Sequence, residues 1–260
     1  MTLRSYFPDL SACIIFYDEW EQVEACIRSF KRFYPDGQVI LARDTLPPKL
    51  PDNLRKFNCS LVPQNGSMGY LVDLARQNKS LDDLNLKQRL KIINSQIQKL
   101  QDISRVNKSG HILFLEYDSY VRRKVPVFFD SDIETIEANK FSVDFVALVE
   151  KITCRKLPFS GWGFVTGTVN SNSLRDALLW YKVNRKIVSK IATYEPKLVV
   201  LDFLVPILVH LSGGKVGNNN LTTECYRDKF WRWRGTPLLH QYRAEKRKYR
   251  FLMSRSFLDL

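Results

Sequence analysis

Ser11-Ala12-Cys13-Ile14-Ile15-Phe16-Tyr17 decides how the chain begins to fold. A short run that is apolar at consecutive positions fits a strand buried on both faces, as in a parallel sheet. Asp18 follows and offers a helix N-cap, with Glu19 and Glu21 in the first turn, where the positive end of a helix favours acids. Trp20, Val23, Ile27, Phe30 and Tyr34 then recur at helical spacing until Pro35-Asp36-Gly37 stops the helix. Residues 38–42 read as a second strand. Together these segments form a β-α-β unit, whose crossover is right-handed.

Working outward, residues 46–63 hold Pro47, Pro48, Pro51 and Pro63 and read as irregular, and Asn65-Gly66 marks a turn. Residues 71–106 read as mostly helical with a break at Asn78-Lys79-Ser80. The stripe Leu86, Leu90, Ile93, Ile97 and Leu100 is a core-facing side. Residues 111–115 are a third strand, announced by Ser109-Gly110, and residues 145–149 a fourth. Residues 174–191 read as a helix with Lys and Arg on its exposed side. Residues 202–211 read as another, ended by Gly213-Gly214. Strands alternating with helices predict an α/β class with a mainly parallel, mixed central sheet flanked by helices.

Composition narrows the function classes. The chain has 260 residues, enough for one large α/β domain with its own core. The five cysteines, Cys13, Cys26, Cys59, Cys154 and Cys225, form no CxxC pair. Cys13, Cys26 and Cys154 sit in apolar runs that read as core. This argues for a reducing, cytoplasmic setting, against a disulfide framework and against a zinc ribbon. The N-terminus carries no basic-then-apolar signal pattern. The longest apolar run, residues 198–211, is broken by Asp202, Pro206 and His210 and is too short to span a bilayer. The formal net charge of +13 points to an acidic partner: a phosphate-bearing substrate, an anionic membrane or nucleic acid.

In open α/β sheets ligands bind beyond the carboxyl ends of the strands, so the residues after each strand carry the chemistry. The third strand ends in Glu116-Tyr117-Asp118. On an extended chain residues two apart point to one side, and two clustered carboxylates call for a cation between them. Mg²⁺ or Mn²⁺ fits that place and would also grip a diphosphate, neutralising charge on a leaving phosphate. The competing reading is a strand end capped by solvated acids.

Three segments carry a resemblance. Residues 11–19, the segment Cys26-Ile27-Arg28-Ser29-Phe30 with Tyr34-Pro35, and the strand ending at Asp44 resemble the opening of the family-two-like inverting glycosyltransferases of the GT-A fold. Glu116-Tyr117-Asp118 falls where that family carries its metal-binding DxD, here an ExD. Gly161-Trp162-Gly163-Phe164-Val165-Thr166-Gly167 is similar to its glycine-rich acceptor segment. Asp202 precedes Gly213-Gly214-Lys215-Val216 at the family's spacing. The resemblance implies a single glycosyltransferase domain over residues 1–260. Residues 1–125 would be its nucleotide-sugar-binding half, 126–220 its acceptor-binding and catalytic half, and 221–260 a basic aromatic C-terminal segment.

It also implies roles. Asp118 would be the metal ligand, with Glu116 on the metal through water or on the ribose, and His240 a third ligand. Asp202 would be the general base that takes the acceptor hydroxyl's proton, giving inversion at the anomeric carbon; an ordinary helix N-cap is its bland alternative. Tyr17, Asp18, Glu19 and Asp44 would hold the nucleotide, UDP ahead of GDP, and Gly161, Trp162 and Gly163 the sugar or acceptor. Arg122, Arg123 and Arg155 are candidates for holding phosphates. The partners implied are a nucleotide-sugar donor, a glycan, lipid-linked or glycoprotein acceptor, and a peripheral contact with anionic membrane, with no nucleic acid expected. Two alternatives stay open: a nucleic-acid-binding protein using the basic aromatic segment, and a glycosyltransferase-like fold that binds without catalysing.

Overall fold

A computed structural model describes residues 5–16, 20–43, 50–62, 80–159, 161–163, 167–218, 221–224 and 237–240. The strands are β1 (Ser5–Tyr6), β2 (Leu10–Phe16), β3 (Val39–Arg43), β4 (Cys59–Val62), β5 (His111–Glu116), β6 (Tyr120–Val121) and β7 (Val127–Phe128). They continue as β8 (Ile133–Glu134), β9 (Ile136–Lys140), β10 (Gly161–Gly163), β11 (Gly167–Asn170), β12 (Val216–Gly217), β13 (Thr222–Glu224) and β14 (Leu238–His240). The helices are α1 (Trp20–Phe33), α2 (Asp52–Arg55), α3 (Leu86–Val106), α4 (Val143–Thr153), α5 (Ser171–Val183), α6 (Arg185–Tyr194) and α7 (Leu201–Leu211).

Seven strands form the central sheet in the order β12-β8-β11-β5-β2-β3-β4. β5, β2, β3 and β4 are mutually parallel. β11 runs against both β5 and β8, and β12 runs parallel to β8. The sheet is therefore mixed and mostly parallel, as its apolar runs predict. β2 lies inside the sheet, between β5 and β3, with Cys13, Ile14 and Phe16 buried, because both of its faces are covered. One face packs on α1 through Ala12, Ile14, Phe16, Leu113 and Leu115. The other packs on α3, α4, α5, α6 and α7 through Cys13, Ile40, Ile112, Phe114 and Val169.

Some elements differ from the sequence reading. Residues 145–149 are not a strand but the middle of α4. Ser142 caps it, its Oγ accepting from the Phe145 amide at 3.3 Å, and Phe145 and Val149 share the buried side one turn apart. An apolar run of five is ambiguous by periodicity, and the cap decides it. Cys59–Val62, read as irregular, extends the sheet as β4. The long helical segment is α3 with Asn85 as its capping-box N-cap, preceded by a 3-10 turn at Leu81–Asp83 capped by Ser80. Residues 71–79, also expected to be helical, lie outside the described residues. The helix expected over residues 174–191 is two helices, α5 and α6, parted at Asn184. Gly161 to Gly163 pair with β9, and Gly167 opens β11, so the glycine-rich segment supplies two strands. Cys154 is exposed at the end of α4 rather than in the core.

Strand register fixes which end of each helix meets which edge of the sheet. Val216, Ile133, Val169 and Ile112 lie at one level. α7 ends at Leu211 and turns through Gly213, at φ 103°, into that level. A positive φ here suits glycine, which ends the helix where the sequence places the stop. Asp202 is nine residues before Leu211, about 13 Å back along a helix rising 1.5 Å per residue. The strand from Ile112 to Glu116 covers about the same 13 Å. Asp202 therefore stands at the carboxyl edge of the sheet, level with Glu116. The 3-10 turn before α7 agrees: Lys197 Nζ donates to the Lys140 carbonyl at 2.9 Å, and β9 continues β8 toward that edge.

Candidate functional site

The strand order reverses direction between β2 and β5: from β2 the chain steps outward to β3 and β4, then returns to β5 on the other side. Such a switch point opens a crevice beyond the carboxyl ends of the two strands. Ile15 pairs with Glu116 there, so the last residues of β2 and β5 end side by side. Tyr17, Asp18 and Glu19 follow β2 directly, and Asp44 follows β3. All four lie outside the described residues.

Glu116 closes β5, and the chain turns at once. The Ser119 amide donates to the Glu116 carbonyl at 3.0 Å across Tyr117 and Asp118. The two-residue alternation of an extended strand thus stops at Glu116 and does not itself aim Asp118 beside it. By strand parity Glu116 continues the side of Ile112 and Phe114. Asp118 is buried, 4% exposed, and acts on Cys26 of α1. Helix α1 holds this turn. Cys26 Sγ donates to the Glu116 carbonyl at 3.8 Å, and Ser29 Oγ donates to the Cys26 carbonyl at 2.7 Å while accepting from the Val121 amide at 3.0 Å. Burial, and after it the Asp118 carboxylate, push the Cys26 thiol well up, so this cysteine stays a thiol.

A small sheet closes the crevice from the C-terminal side. β14 runs antiparallel to β6, pairing Leu238 with Val121 and Leu239 with Tyr120. The pairing ends at Tyr120, two residues after Asp118, and His240 is the next residue of β14. β13 runs parallel to β14, with Glu224 in register with His240. Among the described residues no group of three His, Cys, Asp or Glu side chains converges as a metal cage. Carboxylates at a strand end, such as Glu116 and Asp118, are by their chemistry the donors that suit a hard divalent ion. Glu224 was not singled out in the sequence: no local pattern marks it, and only the strand pairing brings it here.

Asp202 occupies the second position of α7, half-buried, in the first turn. Val200 stands at the N-cap without a side-chain cap, and Asp202 is the acid in the first turn of that helix, at its positive end. α7 packs on the opposite side of the sheet from α1, so Asp202 and Asp118 approach the carboxyl edge from its two faces. β10, holding Gly161, Trp162 and Gly163, lies beside α7 and pairs with β9.

Of the basic candidates, Arg122 is buried next to β6, its amide donating to the Pro237 carbonyl at 2.9 Å, and Arg123 is exposed. Arg155 is committed elsewhere. Its guanidinium donates to the Gly213 carbonyl at 2.7 Å and the Gly214 carbonyl at 2.9 Å, and meets His210 Nδ1 at 3.1 Å. It closes the C-terminal end of α7 at the amino edge of the sheet, away from the crevice.

The sequence matches no protein-family model and no curated protein. Among solved structures it is similar to the galactosyltransferase LgtC in complex with donor and acceptor sugar analogues, at 11% identity over 96% of this chain and 94% of that one, with a TM-score of 0.46. An active-site mutant of LgtC is similar at 12% identity over 88% and 86% of the two chains, TM-score 0.47. The glycosyltransferase GlyE of Streptococcus pneumoniae is similar at 10% identity, TM-score 0.46, over 91% of this chain but 56% of GlyE, so the chain spans little more than half of that protein. The structures named are glycosyltransferases. With each TM-score below 0.5, the roles of individual residues rest on the geometry of this chain.

Proposed function

We propose that this chain is a metal-dependent glycosyltransferase that moves a sugar from a nucleotide-sugar, UDP-linked in the first instance, to the hydroxyl of a glycan, lipid-linked or protein-linked acceptor. One observation carries the reading. What supports it is that β14, the strand that carries His240, pairs with β6 two residues after Asp118, near the switch point of the sheet, and that Asp202 lies in the first turn of a helix that ends at the amino edge.

Asp118, Glu116 and His240 would hold Mg²⁺ or Mn²⁺. When bound, that ion supplies positive charge against the leaving diphosphate. The turns after β2 and β3, with Tyr17, Asp18, Glu19 and Asp44, suit the nucleotide by their place at the crevice mouth. Gly161, Trp162 and Gly163, beside α7, suit the sugar and acceptor. Asp202, in the first turn of α7, takes the proton as the acceptor oxygen bonds to the anomeric carbon. The bond from that carbon to the diphosphate oxygen breaks, and the nucleotide diphosphate leaves with the electron pair. Attack from the side opposite the leaving group inverts the anomeric centre.

The test is donor turnover with Mn²⁺, before and after Asp118→Ala and Asp202→Asn, with the anomeric configuration of the product read by NMR. Asp118→Ala should abolish metal-stimulated turnover. Asp202→Asn should lower transfer by roughly 10²–10⁴-fold, the range of a general base. Activity that survives both changes, or a product of retained configuration, refutes the assigned roles. Steeply salt-dependent oligonucleotide binding, with no thermal shift from a nucleotide-sugar plus metal, would favour nucleic-acid binding instead.

A further inference from the structure

The elbow where α5 meets α6 is a basic surface with exposed aliphatic side chains. Leu179 is 63% exposed and Val183 83% exposed, one helical turn apart on the outer side of α5. Lys182 lies between them, and Arg185, Lys186 and Lys190 follow on α6, all exposed. No Asp or Glu occurs in residues 177–194. The nearest acid on this side of α5 is Asp176, one turn before Leu179. The inner side of α6, through Val188, Ile191 and Ala192, is already committed to the core, so the outward basic side does not serve packing.

The place of this elbow matters as much as its chemistry. Asn170, the N-cap of α5, pairs with His111 at the amino edge of the sheet. Val183 lies thirteen residues on from Asn170, about 20 Å along the helix, at the carboxyl edge. A cross-check comes from α3, which ends at the amino edge before β5. Tyr181 OH donates to Asn94 Oδ1 at 2.7 Å, and Asn94 is about 18 Å up α3 from Val106. The elbow thus opens onto the same edge as Glu116 and Asp202.

We infer that this elbow docks the protein on an anionic lipid surface. Two exposed aliphatic side chains ringed by four cations match a bilayer interface, which offers hydrocarbon beneath a layer of negative charge. A nucleic-acid strand would call for aromatic stacking platforms in place of Leu179 and Val183. The inference stands on this surface and is independent of the reaction proposed above. If both hold, docking turns the crevice toward the membrane and favours a lipid-linked acceptor over a free glycan.

The test is co-sedimentation of the full chain with vesicles of phosphatidylcholine alone and of phosphatidylcholine mixed with phosphatidylglycerol. The wild-type chain should bind the mixed vesicles and not the neutral ones. Lys182→Gln with Lys186→Gln should weaken that binding roughly 30-fold, at about 1 kcal/mol for each basic residue at an anionic surface. Leu179→Ser with Val183→Ser should weaken it on the order of ten-fold. Donor turnover in solution should stay unchanged in both pairs, which separates docking from chemistry. Wild-type vesicle binding in both pairs, with loss on Lys246→Gln, Arg247→Gln and Lys248→Gln, would overturn the inference in favour of the C-terminal segment. Vesicle binding competed away by a short RNA at matched salt would overturn it in favour of nucleic acid.

Discussion

Lys99 offers a sharp test of how the core is built. It sits on α3 facing the sheet, 1% exposed, against Cys13 of β2. Burial lowers its pKa from the ordinary lysine value of 10.5 to about 8, with the Cys13 thiol a smaller opposing influence. A base whose pKa is lowered by folding binds fewer protons folded than unfolded. Stability therefore rises with pH between about 8 and 10.5 and is reduced below that window. A shift of this size corresponds to roughly 2–4 kcal/mol held against the fold at neutral pH. Lys99→Met keeps the volume and removes the charge, so it should stabilise the protein at pH 7 by up to that order. The assay is urea unfolding at a series of pH values from 7 to about 10. The wild-type free energy should climb across the upper part of the series relative to the variant, and the two curves should converge toward alkaline pH. The comparison isolates Lys99 from the relief of the +13 net charge, since both proteins share the remaining lysines. A variant less stable than wild type at pH 7, or two curves that run parallel throughout, refutes the reasoning.

Other consequences can be measured directly. His210 is buried against Arg155, and burial, then the arginine, lower its pKa to about 4. Folding thus disfavours its charged form, so stability should fall as pH drops from 6.5 toward 4, and His210→Gln should flatten that part of an acid-unfolding profile. Arg155→Ala leaves the Gly213 and Gly214 carbonyls without their donor and should lower the melting temperature while leaving nucleotide-sugar binding, read by calorimetry, unchanged. Asn170→Ala removes the oxygen that accepts from the Asn172 and Ser173 amides and should cost about 1 kcal/mol in denaturant unfolding. Ser29→Ala removes the acceptor for the Val121 amide beside the Asp118 turn. It should weaken Mn²⁺ binding by the full chain more than a distant change of similar stability cost does.

The β-α-β opening was legible because three independent signals agree there: a buried strand, an amphipathic helix and a Pro-Asp-Gly stop. α7 was legible for a similar reason, since Gly213 and Gly214 mark its end and the apolar run fixes its length. The fourth strand failed where such agreement was missing. Phe145 to Val149 satisfies either period, and the deciding contact is a single serine cap three residues upstream of Phe145. The strands β4, β8 and β12 were not legible at all. Each has two to four residues and exists by virtue of its neighbours, with β8 between β11 and β12. A segment that short carries no period of its own.

The candidate site divides along the same physical line. Glu116, Asp118 and Asp202 were visible because each follows or opens an element that its own neighbourhood specifies. Their mutual placement was not, since alternation along a strand ends where the Ser119 amide closes the turn. What the sequence cannot encode locally is the third side of the crevice. His240 stands over a hundred positions from Asp118 in the chain, and the pairing of Leu239 with Tyr120 is what brings its strand to the segment after Asp118. Glu224 depends on one further pairing, with His240 itself. The acids are thus set by two elements that fold around the first β-α-β unit, whereas His240 and Glu224 arrive with β14 and β13. Metal affinity should therefore report on the docking of the C-terminal strands as much as on the acids. Substituting Leu238, fully buried at the β6 junction, by alanine should weaken Mn²⁺ binding while both carboxylates remain in place. An unchanged affinity in that variant would leave Glu116 and Asp118 as the whole of any cation site and remove His240 from it.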